Sequence, residues 1–140
     1  MIETLRGRVT VAECDPSGRM SVPAHAARIA DATVSLCHAI GLTGAFVIDR
    51  RRTLVTVSQQ IAYTGDLVAG DLLVMYGGVL SIGEDEIRFV HRMLRVEDGA
   101  AIMSANALMR GTDIEHWTPI ALDDAIAARA RRLLVHEAQA

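Results

Sequence analysis

Two carboxylates, a thiol and a guanidinium crowd one short stretch, Glu13-Cys14-Asp15-Pro16-Ser17-Gly18-Arg19. Carboxylates can draw a proton from water or attack a carbonyl carbon. On the residues alone, Asp15-Pro16-Ser17-Gly18 is first a turn, in which Asp15 bonds back to Ser17 or Gly18 as an Asx-turn. Glu13 points along a strand beside Cys14 and makes only a weak carboxylate pair with Asp15. The five histidines, His25, His38, His91, His116 and His136, are scattered. No HxxxH or Cys/His cluster points to zinc, so no metal is expected. Arg50-Arg51-Arg52 is a basic run of the kind that can bind phosphates, although a solvated loop is the favoured reading.

These residues need elements to position them. Residues 5–13 carry Leu5, Val9 and Val11 among polar neighbours and predict a first strand. Residues 22–40 predict the main helix, with Ser21 or Val22 as N-cap, Pro23 in the first turn and Gly41 as the stop. Its apolar set is Val22, Ala26, Ile29, Thr33, Leu36, Cys37 and Ile40. The other stripe, His25, Arg28, Asp31, Ser35 and His38, reads as a solvated or interface face in preference to an active site.

Strands follow. Val55, Val57, Gln59, Ile61 and Tyr63 alternate, and a turn at Thr64-Gly65-Asp66 leads to Gly70-Asp71. Residues 71–80 predict a long strand whose Gly77 and Gly78 suggest a bulge or sharp curvature. Residues 87–96 and 100–110 predict two more, joined by the hairpin signal Glu97-Asp98-Gly99. Residues 121–136 predict a terminal helix with Asp123 and Asp124 at its positive end. A strand, a long helix and a run of strands argue for an α+β domain with an antiparallel sheet.

The 140 residues fit one domain, and 51% hydrophobic content supports a core. Aromatics make up only 4% and the net charge is −3, which argues against nucleic-acid binding. No apolar run reaches membrane-spanning length, and residues 1–9 show no signal-peptide pattern. Cys14 and Cys37 read as reduced thiols, which suits a cytoplasmic protein. The mean hydropathy of +0.26 suggests apolar surface covered by a partner subunit.

Two local patterns carry a resemblance. The first is Val11-Ala12-Glu13-Cys14-Asp15-Pro16-Ser17-Gly18-Arg19-Met20, with an acid three residues before a glycine just ahead of the helix. The second is Ile61-Ala62-Tyr63-Thr64-Gly65-Asp66-Leu67-Val68-Ala69-Gly70-Asp71, a strand ending in Tyr followed by a short loop and Gly-Asp. In order and spacing they resemble the hotdog-fold acyl-CoA thioesterases of the 4-hydroxybenzoyl-CoA thioesterase type, over roughly residues 5–120. Arg88-Phe89-Val90-His91-Arg92-Met93 is similar to the branch associated with carnitine and betaine metabolism.

The resemblance implies a hotdog fold over residues 1–140, a long helix wrapped by a five-stranded antiparallel sheet with a C-terminal helix. It implies hydrolysis of a small or medium acyl-CoA, with CoA as part of the substrate and no separate cofactor. Asp15 becomes the nucleophile or general base, and the Val22 amide at the helix start the oxyanion donor. Gly18 lets the backbone approach the thioester. Arg19 could pair with Asp15 or bind an anionic acyl group. Gln59, Tyr63 or the 71–80 strand of a second protomer would shape the acyl pocket in a homodimer or homotetramer.

The chain departs from the family where that family often has His, Asn and Tyr: here stand Arg19, Ser21, Val22 and His25. His25 could orient Asp15 or water, or could be a helix-face residue. Asp31, within the helix, is the rival acid. These departures keep a non-catalytic acyl-CoA-binding module as the alternative, with an enoyl-CoA hydratase ranked below it.

Overall fold

Ser21 sets the start of helix α1 (Val22–Ala39). Its hydroxyl accepts the Ala24 N–H at 3.2 Å, and Pro23 occupies the first turn, where no N–H is needed. Gly41, at φ +88, turns the chain out after Ile40. The computed structural model describes residues 1–136; of the domain expected over 1–140, residues 137–140 lie outside the described residues.

The buried face of α1 is Ala24, His25, Ile29, Ala32 and Leu36. Ile29, Leu36 and Ile40 match the expected stripe, but Val22 is 62% exposed and His25 only 3%. The face is rotated because small side chains at Ala24 and Ala32 let the helix sit close on the sheet. A pattern that weighs side-chain size favours Val over Ala and misses this.

That sheet is antiparallel throughout. Its strands are β1 (Ile2–Arg8), β2 (Arg52–Tyr63), β3 (Leu72–Ile82), β4 (Glu86–Arg95), β5 (Ala101–Asp113) and the two-residue β6 (Thr118–Pro119). The order is β1-β3-β4-β5-β2, with β6 beside β5. Five long strands wrap one helix, as expected of a hotdog fold, and β6 is an addition. The first strand ends at Arg8 instead of running to residue 13. A 3₁₀ turn, Val11–Glu13, takes over, and Val11 is 79% exposed while Val9 is buried. Two further helices are α2 (Gly44–Arg50), which sequence reasoning missed, and α3 (Asp124–Arg131), shorter than the expected 121–136.

The core lies between α1 and the inner sheet face. One cluster joins Ile29 and Ala32 to Leu73, Met75, Met93 and Met103. The other joins Leu36 and Ile40 to Val79, Ile87, Phe89 and Ala107, and Ile126 and Ala130 of α3 close it. Gly77 permits close approach, since a Cβ there would lie 3.0 Å from Leu36 Cδ1. The register shift falls just after the glycines, between Val79 and Ser81. Leu36 is fully buried. We therefore expect Leu36→Ala to cost about 2–5 kcal/mol in urea unfolding.

His91 is also buried in this core. Its Nε2 lies 3.3 Å from Thr33 Oγ1, whose own proton goes to the Ile29 carbonyl at 2.8 Å. The hydroxyl therefore accepts from Nε2–H, leaving Nδ1 without a partner among the described residues. Burial pushes the His91 pKa down to about 4. A histidine depressed in the fold loses stability as pH falls, because the unfolded chain takes up a proton first. Stability should drop between about pH 6.5 and pH 4 by up to about 3 kcal/mol. Unfolding measured across that window should show a shallower slope for His91→Leu.

One edge is open. In β2, residues Val55 to Gln60 are all exposed, and a register shift between Thr56 and Ser58 breaks the expected single-face alternation. Val55 pairs with Arg110, whereas Gln59 pairs with the buried Ala107 on the inner face. Among the described residues no helix is long and apolar enough to cross a membrane by itself.

Candidate active site

Asp15 sits at the tip of a small hairpin closed by a Cys14–Met20 bridge. The Asp15 N–H donates to the Arg19 carbonyl at 2.8 Å, and the Gly18 N–H to the Asp15 carbonyl at 2.9 Å. Gly18 takes φ +85 with open space around it, a backbone that a side chain would strain. The Asx-turn is present: Asp15 Oδ1 accepts from the Ser17 N–H at 2.8 Å, the Ser17 hydroxyl and the Arg19 N–H at 3.3 Å. Oδ2 accepts none among the described residues. The carboxylate is thus anchored through one oxygen and open at the other. The Ser17 hydroxyl foremost, then the backbone N–H groups and the Arg19 charge, holds its pKa below the ordinary value.

Of the two roles open to Arg19, the side-chain pair with Asp15 does not form. The Arg19 guanidinium lies 3.4 Å from Asp66, both well exposed, while only its amide reaches Asp15. Backbone contacts from Arg19 and Met20 to Val68 and Leu67 tie the hairpin to the 64–70 loop. That draws the Arg19 side chain toward Asp66, which sequence reasoning treated as part of a turn. The contact is nonlocal and leaves no local signal.

Glu13 is not a partner of Asp15. It forms a two-point ion pair with Arg28, both distances 2.9 Å, and accepts the Thr10 N–H at 3.0 Å. Arg28 also donates to the Arg8 carbonyl at 2.8 Å. This partly buried pair pins the segment before the hairpin to α1.

His25 lies one turn into α1, inside the fold and not on the expected solvated stripe. Its ring meets Tyr63 edge-on, centroids 5.0 Å apart and planes at 71°. Its Nδ1 has no partner among the described residues. Burial lowers its pKa, and the charges of Asp66 and Glu13 oppose that shift. The structure therefore brings His25 and Tyr63 of one chain together, with Asp66 and Glu13 close enough to act on the ring. Gln59 is not among them: it lies four residues, about 13 Å, up the strand from Tyr63.

Val22 opens α1, and its N–H donates to no acceptor among the described residues, so it is available to an anion. Asp31 is exposed on α1 and makes no hydrogen bond or ion pair among the described residues. Farther along, Val34, Cys37, Val47 and Leu54 line a mainly apolar groove between α1, α2 and β2. Asp113, Glu115 and His116 bring ligand atoms within 4.8 Å of one another, but at the opposite end of β2. An exposed trio of this kind is common without an ion.

A family model described as "Thioesterase-like superfamily" matches residues 9–130. No curated protein matches the chain in sequence. Among solved structures, a Staphylococcus aureus protein in complex with CoA superposes with a TM-score of 0.88 at 14% identity, covering 96% of this chain and 87% of that one. A 1,4-dihydroxy-2-naphthoyl-CoA thioesterase from Synechocystis gives 0.81 at 14% identity, covering 92% and 95%. A gentisyl-coenzyme A thioesterase gives 0.78 at 13% identity, covering 90% and 98%. At such identities the likeness is one of fold.

Proposed function

The chain belongs to the thioesterase-like superfamily and is a thioester hydrolase, and we propose that its substrate is a small or medium acyl-CoA, cleaved at the Asp15 hairpin. Within the superfamily we place it with the 4-hydroxybenzoyl-CoA thioesterase type. The observation that carries this reading is the Asp15 carboxylate, anchored through Oδ1 and open at Oδ2 just ahead of α1.

In this reading the thioester carbonyl lies at the start of α1. Asp15 either attacks the carbonyl carbon or takes a proton from the attacking water. The Val22 N–H stabilises the oxyanion that develops. Cleavage of the C–S bond yields a carboxylic acid and the CoA thiol. His25, kept neutral by its burial, orients the attacking water through its ring. Arg19 and Gly18 border the entrance.

The working unit we propose is a homodimer, itself able to pair into a homotetramer. Support comes from the exposed β2 edge, which offers unpaired backbone groups over twelve residues. Val55 and Val57 stand 38% and 48% exposed upon it. Two such strands would pair antiparallel about a two-fold axis, joining both sheets. Tyr63 packs on His25 of its own chain, so the partner's contribution would come from the middle of β2, including Gln59. The free thiols Cys14 and Cys37 fit a cytoplasmic setting.

The test is a panel of acyl-CoAs followed by free-thiol release. Turnover that peaks at short or medium acyl groups is expected. Turnover confined to long chains would overturn the substrate assignment.

A further inference from the structure

The hairpin that carries Asp15 is anchored unequally. Its second limb, Arg19 to Ser21, runs straight into α1. There Met20 is buried, and its N–H donates to the Leu67 carbonyl at 2.8 Å. The first limb has no such anchor in its apolar side chains: Val11 and Ala12 are exposed, and Cys14 is only half-buried. The limbs are joined by the Asp15 N–H on the Arg19 carbonyl and the Ser21 N–H on the Glu13 carbonyl, both at 2.8 Å. So short a two-stranded ladder is marginal in water by itself.

Glu13 supplies what the first limb lacks. Its two carboxylate oxygens accept Nε–H and Nη2–H of Arg28 at 2.9 Å each, a fork that fixes direction as well as distance. The same Nη2 donates to the Arg8 carbonyl at 2.8 Å, so the guanidinium also grips the end of β1. Both side chains are about four-fifths buried, at 18% and 20% exposure, where solvent screens little of their attraction. Gly7 makes the room: a Cβ there would lie 2.7 Å from Arg28 Nη1. Arg28 stands six residues, about 9 Å, along α1 from Val22. One rigid helix thus carries the Val22 N–H at its start and the grip on the first limb two turns later.

We infer that Arg28 is a positioning residue, which acts through Glu13 to hold the Asp15 carboxylate at a fixed place relative to the Val22 N–H. This rests on the reading of Asp15 as the reacting group and the Val22 N–H as the oxyanion donor. Arg28 itself touches neither. Its effect is on the geometry of the reacting groups, to which rate is steeply sensitive.

Arg28→Met keeps the stem of the side chain and removes the fork. Hydrogen exchange in the full-length protein should quicken about tenfold at the Asp15 and Ser21 amides, with the middle of α1 unchanged. In the same protein, still folded at the assay temperature, kcat should fall about ten- to a hundredfold with KM nearly unchanged. Arg28→Met added to Glu13→Gln should cost nothing further, because the two act as one unit. Gly7→Ala should move kcat and exchange in the same direction, since its Cβ displaces the guanidinium while the charges and every hairpin residue stay in place. Unchanged exchange at Asp15 and Ser21 in Arg28→Met would overturn the clamp, whatever the thiol assay gives. Faster exchange with full kcat would overturn the positioning role. Faster exchange in Arg28→Met beside full turnover in Asp15→Asn would leave the clamp standing and overturn only the reading of Asp15.

Discussion

Asp15→Asn should fold like the parent and lose roughly a hundred- to ten-thousand-fold in kcat. The amide can still accept at Oδ1, so the Asx-turn and the hairpin survive, while the group that attacks or takes the proton is gone. Matched circular dichroism spectra and thermal unfolding separate that loss from misfolding. The pH profile gives a second view. A base works when deprotonated, so activity should fall as pH drops through the Asp15 pKa. Its hydrogen bonds hold that pKa below the ordinary carboxylate value, so activity should persist well into the acid range. Ser17→Ala removes the largest of those influences and should move the acid limb to higher pH. If Asp15→Asn retained full turnover, the chemistry would move to His25 or Asp31.

The second large effect is expected at the open edge. Ser58 lies near the middle of β2, where antiparallel pairing about a two-fold axis sets each residue close to its own copy. Ser58→Lys then places two like charges against each other along an exposed strand, a device that blunts edge pairing. The variant should sediment as a monomer at concentrations where the parent is a dimer, and should lose most thiol release if the site is completed across the pair. A Ser58→Lys protein that remained dimeric and fully active would place the interface elsewhere.

Much of the frame is legible in the sequence because its signals are local. Ser21, Pro23 and Gly41 bound α1 through capping chemistry that acts within a few residues. Glu97-Asp98-Gly99 marks the β4–β5 turn, where Gly99 takes φ 70. Helix α2 escapes because seven residues opening on Gly44 are too few to show a helical period. The first strand is overextended because Val9 and Val11 look alike in sequence, and only the Thr10–Glu13 capping box, tightened by Arg28, separates their fates.

The site is legible in part. The Asp15 turn follows from its residue types, since Asp, Pro, Ser and Gly at that spacing favour an Asx-turn. The burial of His25 does not follow, because a polar side chain on a helix reads as outward-facing until the sheet that covers it is known. The pairings of Arg19 with Asp66 and of Glu13 with Arg28 are choices between carboxylates that only the folded chain decides.

The most direct measurement is the fate of the acyl-CoA itself: thiol and carboxylic acid quantified together over many turnovers. The account predicts that both appear in equal amounts, in excess over enzyme, and that Asp15→Asn stops both. A protein whose melting temperature rises with acyl-CoA while the thioester is recovered intact would contradict it.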